Sequence, residues 1–171
     1  VTKMIITDKD WIVKFLSGNH ADYKGRIYED ILYCSDEEME KCHDQVQWIF
    51  PLHETSNWAM TYPVINPMIV EECRDIPEIT ENMTNAVERM LDFYGLDVDD
   101  KDKQRVWCKE FNHNLLRITR IIRSARIFGL YEEAHNFYLK AKDAGDYFCI
   151  GNVPKAYWWR ARYEDLYDTL R

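Results

Sequence analysis

Apolar residues recur at three- and four-residue intervals along nearly the whole chain, and no segment carries a convincing strand pattern. This periodicity constrains the fold more than any other feature, and it predicts an all-α protein. The segment 113–128 shows it most fully. Leu115, Ile118, Ile122 and Ala125 form a stripe at i, i+3, i+7 and i+10, widened by Ile121 and Phe128. Arg117, Arg120, Arg123 and Arg126 step by three across the other half, with Leu116 and Ile127 among them. A fully solvated face would not carry those two apolar residues, so this helix is expected to be central and contacted on both sides.

Start and stop signals divide the rest. Thr7 or Asp8 caps a helix carrying Trp11, Ile12, Phe15 and Leu16, and Gly18 ends it. A short helix over Ile27–Leu32 follows. Ser35 with Glu38 forms a capping box that opens a helix running to Phe50, closed by Pro51. Asn66-Pro67 and Pro77 start two more, the second stopped by Gly95. Asp97–Lys103 reads as an exposed charged loop. Asn112 caps the arginine helix, which Gly129 stops; a helix over Tyr131–Ala144 stops at Gly145, and a last one begins at Asn152-x-Pro154. In that last helix Trp159, Tyr163, Leu166 and Leu170 are the expected core stripe, leaving Trp158 either surplus for an interface or packed on the preceding helix. The sum is seven or eight helices in a single compact domain spanning 1–171. Leu52–Pro63 forms one long ordered loop that holds aromatics.

Charge is unevenly placed. The chain carries −8 overall, but residues 1–100 hold 8 basic and 21 acidic side chains, and residues 101–126 hold 8 basic and 2 acidic. The acidic total argues against nucleic-acid or anionic-membrane binding by the whole surface. No apolar run approaches the ~18 residues that a membrane span needs. The five cysteines, Cys34, Cys42, Cys73, Cys108 and Cys149, are widely spaced without a C-x-x-C, which fits reduced thiols in an intracellular protein. Cys34, Cys42, His43, Cys108 and His113 are the sharper zinc alternative, yet no pair has finger or ribbon spacing, so no metal is expected. His53-Glu54 lacks the second histidine of H-E-x-x-H, and no P-loop, G-x-S-x-G or G-x-G-x-x-G is present. No enzyme and no cofactor are therefore expected.

Four ordered motifs carry a resemblance. His43–Leu52 reads H-D-Q-V-Q-W-I-F-P-L, and Asn57-Trp58 follows it. Met90–Gly95 reads M-L-D-F-Y-G, and Asn112–Ile122 reads N-H-N-L-L-R-I-T-R-I-I, with Gly129-Leu130 after it. Together they resemble the conserved region of the opioid growth factor receptor family, most strongly over 22–130, with 131–171 as a helical extension packing on it. The resemblance implies a helical fold and an association with a small enkephalin peptide and with growth inhibition at the nucleus. It also implies a stand-alone domain without the animal receptor's repeat tail, of the kind found in microbes and viruses.

The expected function is a non-enzymatic domain that binds a protein or peptide through the 52–63 loop and neighbouring helices. His43 shares a helical face with Met39, Val46 and Phe50, and Gln47 lies at its edge. Both are expected either to hold loop backbone near Asn57–Trp58 or to touch a ligand. Trp48 lies opposite that stripe, packed under the loop or turned to a partner. The candidate binding residues are His43, Gln47, Trp48, Asn57, Trp58, Asn114, Arg117, Arg120 and Arg123. In the alternative, the arginines line a site for phosphate, a nucleotide or nucleic acid. Otherwise they pair with carboxylates of the acidic half and tie helices together. The expected location is intracellular and cytoplasmic, not secreted, with the nucleus implied by the resemblance alone.

Overall fold

The computed structural model describes residues 3–57 and 59–166. Along these the chain forms β1 (Met4–Ile6), α1 (Lys9–Leu16), α2 (Tyr28–Leu32), α3 (Asp36–Lys41), α4 (His43–Ile49) and β2 (Thr61–Pro63). There follow α5 (Pro67–Arg74), α6 (Pro77–Phe93), α7 (Lys101–Trp107), α8 (Asn114–Ile127), α9 (Tyr131–Tyr147) and α10 (Asn152–Tyr163). The protein is mostly α-helical, as its periodicity requires. The described residues divide within α6 into two compact units, one running up to Ala86 and including Leu166, the other over Val87–Asp165.

Helix starts follow from local chemistry. Asp8 accepts the Trp11 N–H at 2.9 Å, Ser35 the Glu38 N–H at 3.1 Å and Asn66 the Ile69 N–H at 2.9 Å. Each satisfies a donor that the first helical turn leaves without a partner. The count of ten helices among the described residues exceeds the expected seven or eight for two reasons. The predicted helix 35–50 breaks at Cys42, whose ψ of 91° is extended, and this separates α3 from α4. The charged stretch expected as a loop instead starts α7, where Asp100 accepts the Lys103 N–H at 3.1 Å. Gly145 is not a helix stop: α9 runs through it to Tyr147.

In the first unit β1 and β2 pair in parallel, Met4 with Thr61 and Ile6 with Pro63. Met4 N–H donates to Met60 O at 2.7 Å and Val64 N–H to Ile6 O at 2.9 Å. Three-residue strands are too short to display an alternating pattern, which is why the sequence shows no strand there. Around them Ile12, Phe15, Tyr28, Ile31, Met39, Val46, Trp48, Phe50 and Tyr62 are buried. Tyr62 pins the loop before β2, since its hydroxyl accepts the Ser56 N–H at 2.8 Å and donates to Ser56 O at 3.1 Å.

The second unit is built on α8, α9 and α10, each packed on the other two. Tyr94, the residue after α6, anchors this unit: its hydroxyl donates to Asn114 Oδ1 at 3.0 Å and its carbonyl accepts from Trp107 Nε1 at 2.9 Å. Gly95 has φ +66°, and a Cβ there would stand 2.8 Å from Lys103 Cβ and 3.0 Å from Asp100 O. Only glycine lets the chain turn so tightly from α6 into α7.

Candidate interaction site

The motif residues of α4 face inward. Trp48 is fully buried and its indole N–H donates to Thr61 O at 3.0 Å, beneath the strand that ends the aromatic loop. Its ring meets Phe15 edge-on at 5.0 Å and stacks on Tyr23 at 6.0 Å. Gln47 is buried too, and its Oε1 has no hydrogen-bond partner among the described residues. His43 departs from expectation. The break at Cys42 resets the helical phase, so His43 becomes the exposed first residue of α4 while Asp44–Ile49 are buried. Asn57 is exposed on the loop, and Trp58 lies outside the described residues.

Asp44, a residue of the same motif, gathers the loop between α1 and α2. It accepts from Tyr23 OH, from Arg26 Nη2 at 3.1 Å and Nη1 at 3.3 Å, and pairs with Lys24 Nζ at 3.3 Å. Arg26 Nε also donates to Asp22 at 2.7 Å, and Asp22 accepts the Lys24 and Arg26 N–H groups. Burial alone would raise the Asp44 carboxyl, but hydrogen bonds from Arg26 and Tyr23 and the charges of Arg26 and Lys24 outweigh it. The pKa is held below the ordinary carboxylate value.

The arginines of α8 divide by their position around the helix. Asn114, Arg117 and Arg120 are buried, and Arg117 Nη1 donates to Asn114 Oδ1 at 3.3 Å. Arg123 and Arg126 are half-buried and share the surface strip of α8 with Leu116 and Thr119. Arg123 Nε is shielded from water and has no hydrogen-bond partner among the described residues. Arg126 donates to backbone carbonyls, to Ala161 at 2.9 Å and to Glu164 at 2.5 Å.

The face of α10 is the reverse of the one expected. Trp158 is 0% exposed, and its indole N–H donates to Leu115 O at 2.9 Å. It is no surplus residue. Gly145 makes room for it: a Cβ there would stand 3.2 Å from the Trp158 ring and 2.9 Å from Ile150 Cδ1. Ala161 shares the buried side, so Trp159 and Tyr163 point outward at 52% and 46% exposure. Leu170, the end of the expected stripe, lies outside the described residues. The outer face of α10 therefore presents Val153, Tyr157, Trp159 and Tyr163, with Arg160 5.6 Å from the Tyr157 ring and Arg162 4.7 Å from the Tyr163 ring. A signal for this phase was present in the sequence, since a small residue, Ala161, stands three positions after Trp158, as a close helix–helix contact requires.

Among the described residues no three His, Cys, Asp or Glu side chains come together to hold a metal ion, and no helix is long and apolar enough to cross a membrane.

The fold and its inward-facing motifs define a mostly helical protein whose most regular sequence signals build its own core. That class has a family: the chain belongs to the opioid growth factor receptor (OGFr) conserved region, whose sequence model matches residues 14–141. The opioid growth factor receptor of Mus musculus is 34% identical over 122 residues, covering 62% of this chain and 19% of the mouse protein. The Homo sapiens receptor is 35% identical over 121 residues, with 62% and 18% covered. An opioid growth factor receptor-like protein 1 of Xenopus tropicalis is 31% identical over 98 residues, with 52% and 19% covered. The chain thus spans about a fifth of the length of these relatives. No solved structure matches it. Of the outward features, Arg123 and Arg126 fall inside the matched region and the whole of α10 beyond it.

Proposed function

We propose that this chain is a non-enzymatic interaction domain that binds a protein or peptide, with the outer face of α10 as its docking surface. The observation that carries this reading is the set of exposed aromatics on α10, Tyr157, Trp159 and Tyr163, flanked by Arg160 and Arg162. Aromatic and arginine side chains are the ones enriched at protein interfaces. The aromatic loop does not serve as well, because Trp48 is enclosed in the core. The arginines favour a partner segment with acidic residues beside apolar ones. The five free cysteines support an intracellular setting. The relatives' name makes an opioid growth factor the first peptide to try.

The test is selection of displayed random peptides on the purified chain, with the opioid growth factor titrated separately. Wild type is expected to enrich acidic-aromatic peptides that a folded Trp159→Ala, Tyr163→Ala variant binds about tenfold or more weakly, the loss of one central aromatic anchor. Asn57→Ala is expected to bind them as wild type does. No enrichment, or equal retention by the α10 variant, would overturn the reading.

A further inference from the structure

Phe111 stands apart from every other aromatic among the described residues, because it is 100% exposed. Its φ of 63° lies in the left-handed region, where a bulky side chain is an outlier and Gly or Asn is usual. The turn that holds it closes with Asn112 N–H donating to Lys109 O at 3.4 Å. Two contacts seat this turn and the end of α7 against the segment that joins α9 to α10. Arg105 lies 5.6 Å from the Phe148 ring, and Glu110 Oε1 stands 3.7 Å from where a Gly151 Cβ would be. Holding a fully exposed Phe in a strained conformation buries nothing within the chain, so the outlier points to use outside it. Between Gln104 and Asn112 the sequence carries Arg105 and Lys109 against Glu110 alone. Arg105 and Lys109 are exposed, and neither meets a carboxylate among the described residues.

The same chain carries a feature that complements this turn. A groove of about 270 Å³ opens between α1 and α5, lined by Lys9, Met68, Glu71, Glu72 and Asp75. Lys9 is tied to Glu72 at 3.2 Å, whereas Glu71 and Asp75 are exposed and meet no cation among the described residues. Met68 is 71% exposed and gives the groove an apolar wall. A cavity of about 150 Å³ holds a benzene, so the groove has room for a phenyl ring. A methionine thioether is a favourable neighbour for such a ring, and carboxylates suit its positive edge.

From these two features we propose that the chain binds a second copy of itself head to tail, with Phe111 of one copy seated in the α1–α5 groove of the next. Lys109 and Arg105 then face Glu71 and Asp75, so charge sets the orientation. A second copy is the occupant because it supplies acid where the turn supplies base: residues 1–100 hold 21 acidic side chains against 8 basic. The two surfaces differ, so the contact is heterologous, and an open pair keeps one turn and one groove free. A contact built on one turn is small and of transient strength. It goes beyond the peptide-binding reading and uses no residue of α10.

Sedimentation velocity on the purified chain is the test. At an ionic strength of about 0.01 M and protein concentrations up to about 1 mM, wild type is expected to associate reversibly. Raising the salt to about 1 M should weaken the contact about tenfold or more. Phe111→Gly relieves the strained turn, so it should melt no lower than wild type and yet associate about tenfold or more weakly. Glu71→Lys combined with Asp75→Lys should weaken association as much from the other side. An equimolar mixture of the two variants is expected to form a dimer that neither forms alone, because it holds one intact turn and one intact groove. Trp159→Ala should associate as wild type does. A wild type that stays monomeric throughout, wild-type association in either folded variant, or a mixture no heavier than its parts would overturn the proposal. Loss of association in Trp159→Ala would overturn it too, by moving the contact to α10. Failure of peptide binding at α10 leaves all these outcomes unchanged, so the two readings fall separately.

Discussion

Replacing Asp44 by Asn removes one charge and little else, and the structure sets the size of the effect. Asp44 is buried, and it receives both terminal nitrogens of Arg26 and the hydroxyl of Tyr23. Taking one partner from a buried ion pair costs about 3–5 kcal/mol, because the other charge is left without compensation. Three features reduce that. The Arg26 side chain is 16% exposed, it keeps Asp22 at 2.7 Å, and Asn retains a hydrogen-bonding group of the same shape. Lys24 is 52% exposed, so its contribution lies near the ~0–1 kcal/mol of surface pairs. The expected loss is about 2–3 kcal/mol at pH 7, a fall in Tm of roughly 5–10 °C for a chain of this length. The effect also has a pH signature. The folded pKa of Asp44 is depressed, so its contribution is present in full above the unfolded value and drains away as pH falls through the folded one. Urea unfolding of wild type and Asp44→Asn should show the full gap at neutral pH and a narrowing gap in acid. Equal stability at pH 7, or a gap of constant size down to the acid limb, would refute the argument.

Four further outcomes are expected. Trp158→Ala should cost about 3–5 kcal/mol, because it empties a buried site and removes the indole bond to the Leu115 carbonyl, while Trp159→Ala stays within about 0.5 kcal/mol; chemical denaturation reads both. Gly95→Ala should lower stability by about 1–3 kcal/mol, because the positive φ and the 2.8 Å approach to Lys103 act in the same direction; its thermal melt checks this. Arg126→Ala should destabilise the chain by about 1–2 kcal/mol through lost capping of α10, whereas Arg123→Ala should not destabilise it, since that removes a repulsion and no hydrogen bond. Burial pushes the Cys73 thiol up to about 12 and the Cys108 thiol to about 11, so iodoacetamide should alkylate exposed Cys149 first and reach the other two only on unfolding, as mass mapping would show.

What the sequence makes legible here is what neighbouring residues decide. The caps at Asp8, Ser35 and Asn66 act within one turn, and each starts its helix as read. Many of the motif residues, Trp48, Phe50, Met90, Tyr94 and Ile118 among them, are buried in the core, and their apolar spacing is what makes them legible. What escapes is set by partners far along the chain. The pairing of Met4 with Thr61 joins segments that carry no alternation of their own. The phase of α10 is decided by the space above Gly145, which the periodicity of α10 does not encode. His43 was misplaced by a single backbone break at Cys42 that neither proline nor glycine marks. For the candidate site the consequence is direct. The motif tryptophan, which the sequence leaves either packed under the loop or turned to a partner, is enclosed, and the outward aromatics lie on a helix whose phase Ala161 signals but its apolar periodicity does not.

The fate of the basic segment follows from helix geometry. Steps of three residues rotate a side chain by about −60° each, so four such arginines sweep about half the circumference of α8. A helix packed on both sides leaves a narrower strip to solvent than that, so the four cannot share one environment. Arg117 and Arg120 fall on the enclosed side, with Asn114 satisfying Arg117 in part. Arg126 falls where the end of α10 offers carbonyls, and Arg123 stays on the same surface strip, where its Nε meets no acceptor among the described residues. A positive segment charge therefore does not translate into a basic face. It becomes two internal guanidiniums, one helix cap on which the charge of Arg162 acts, and one side chain whose Nε meets no acceptor among the described residues.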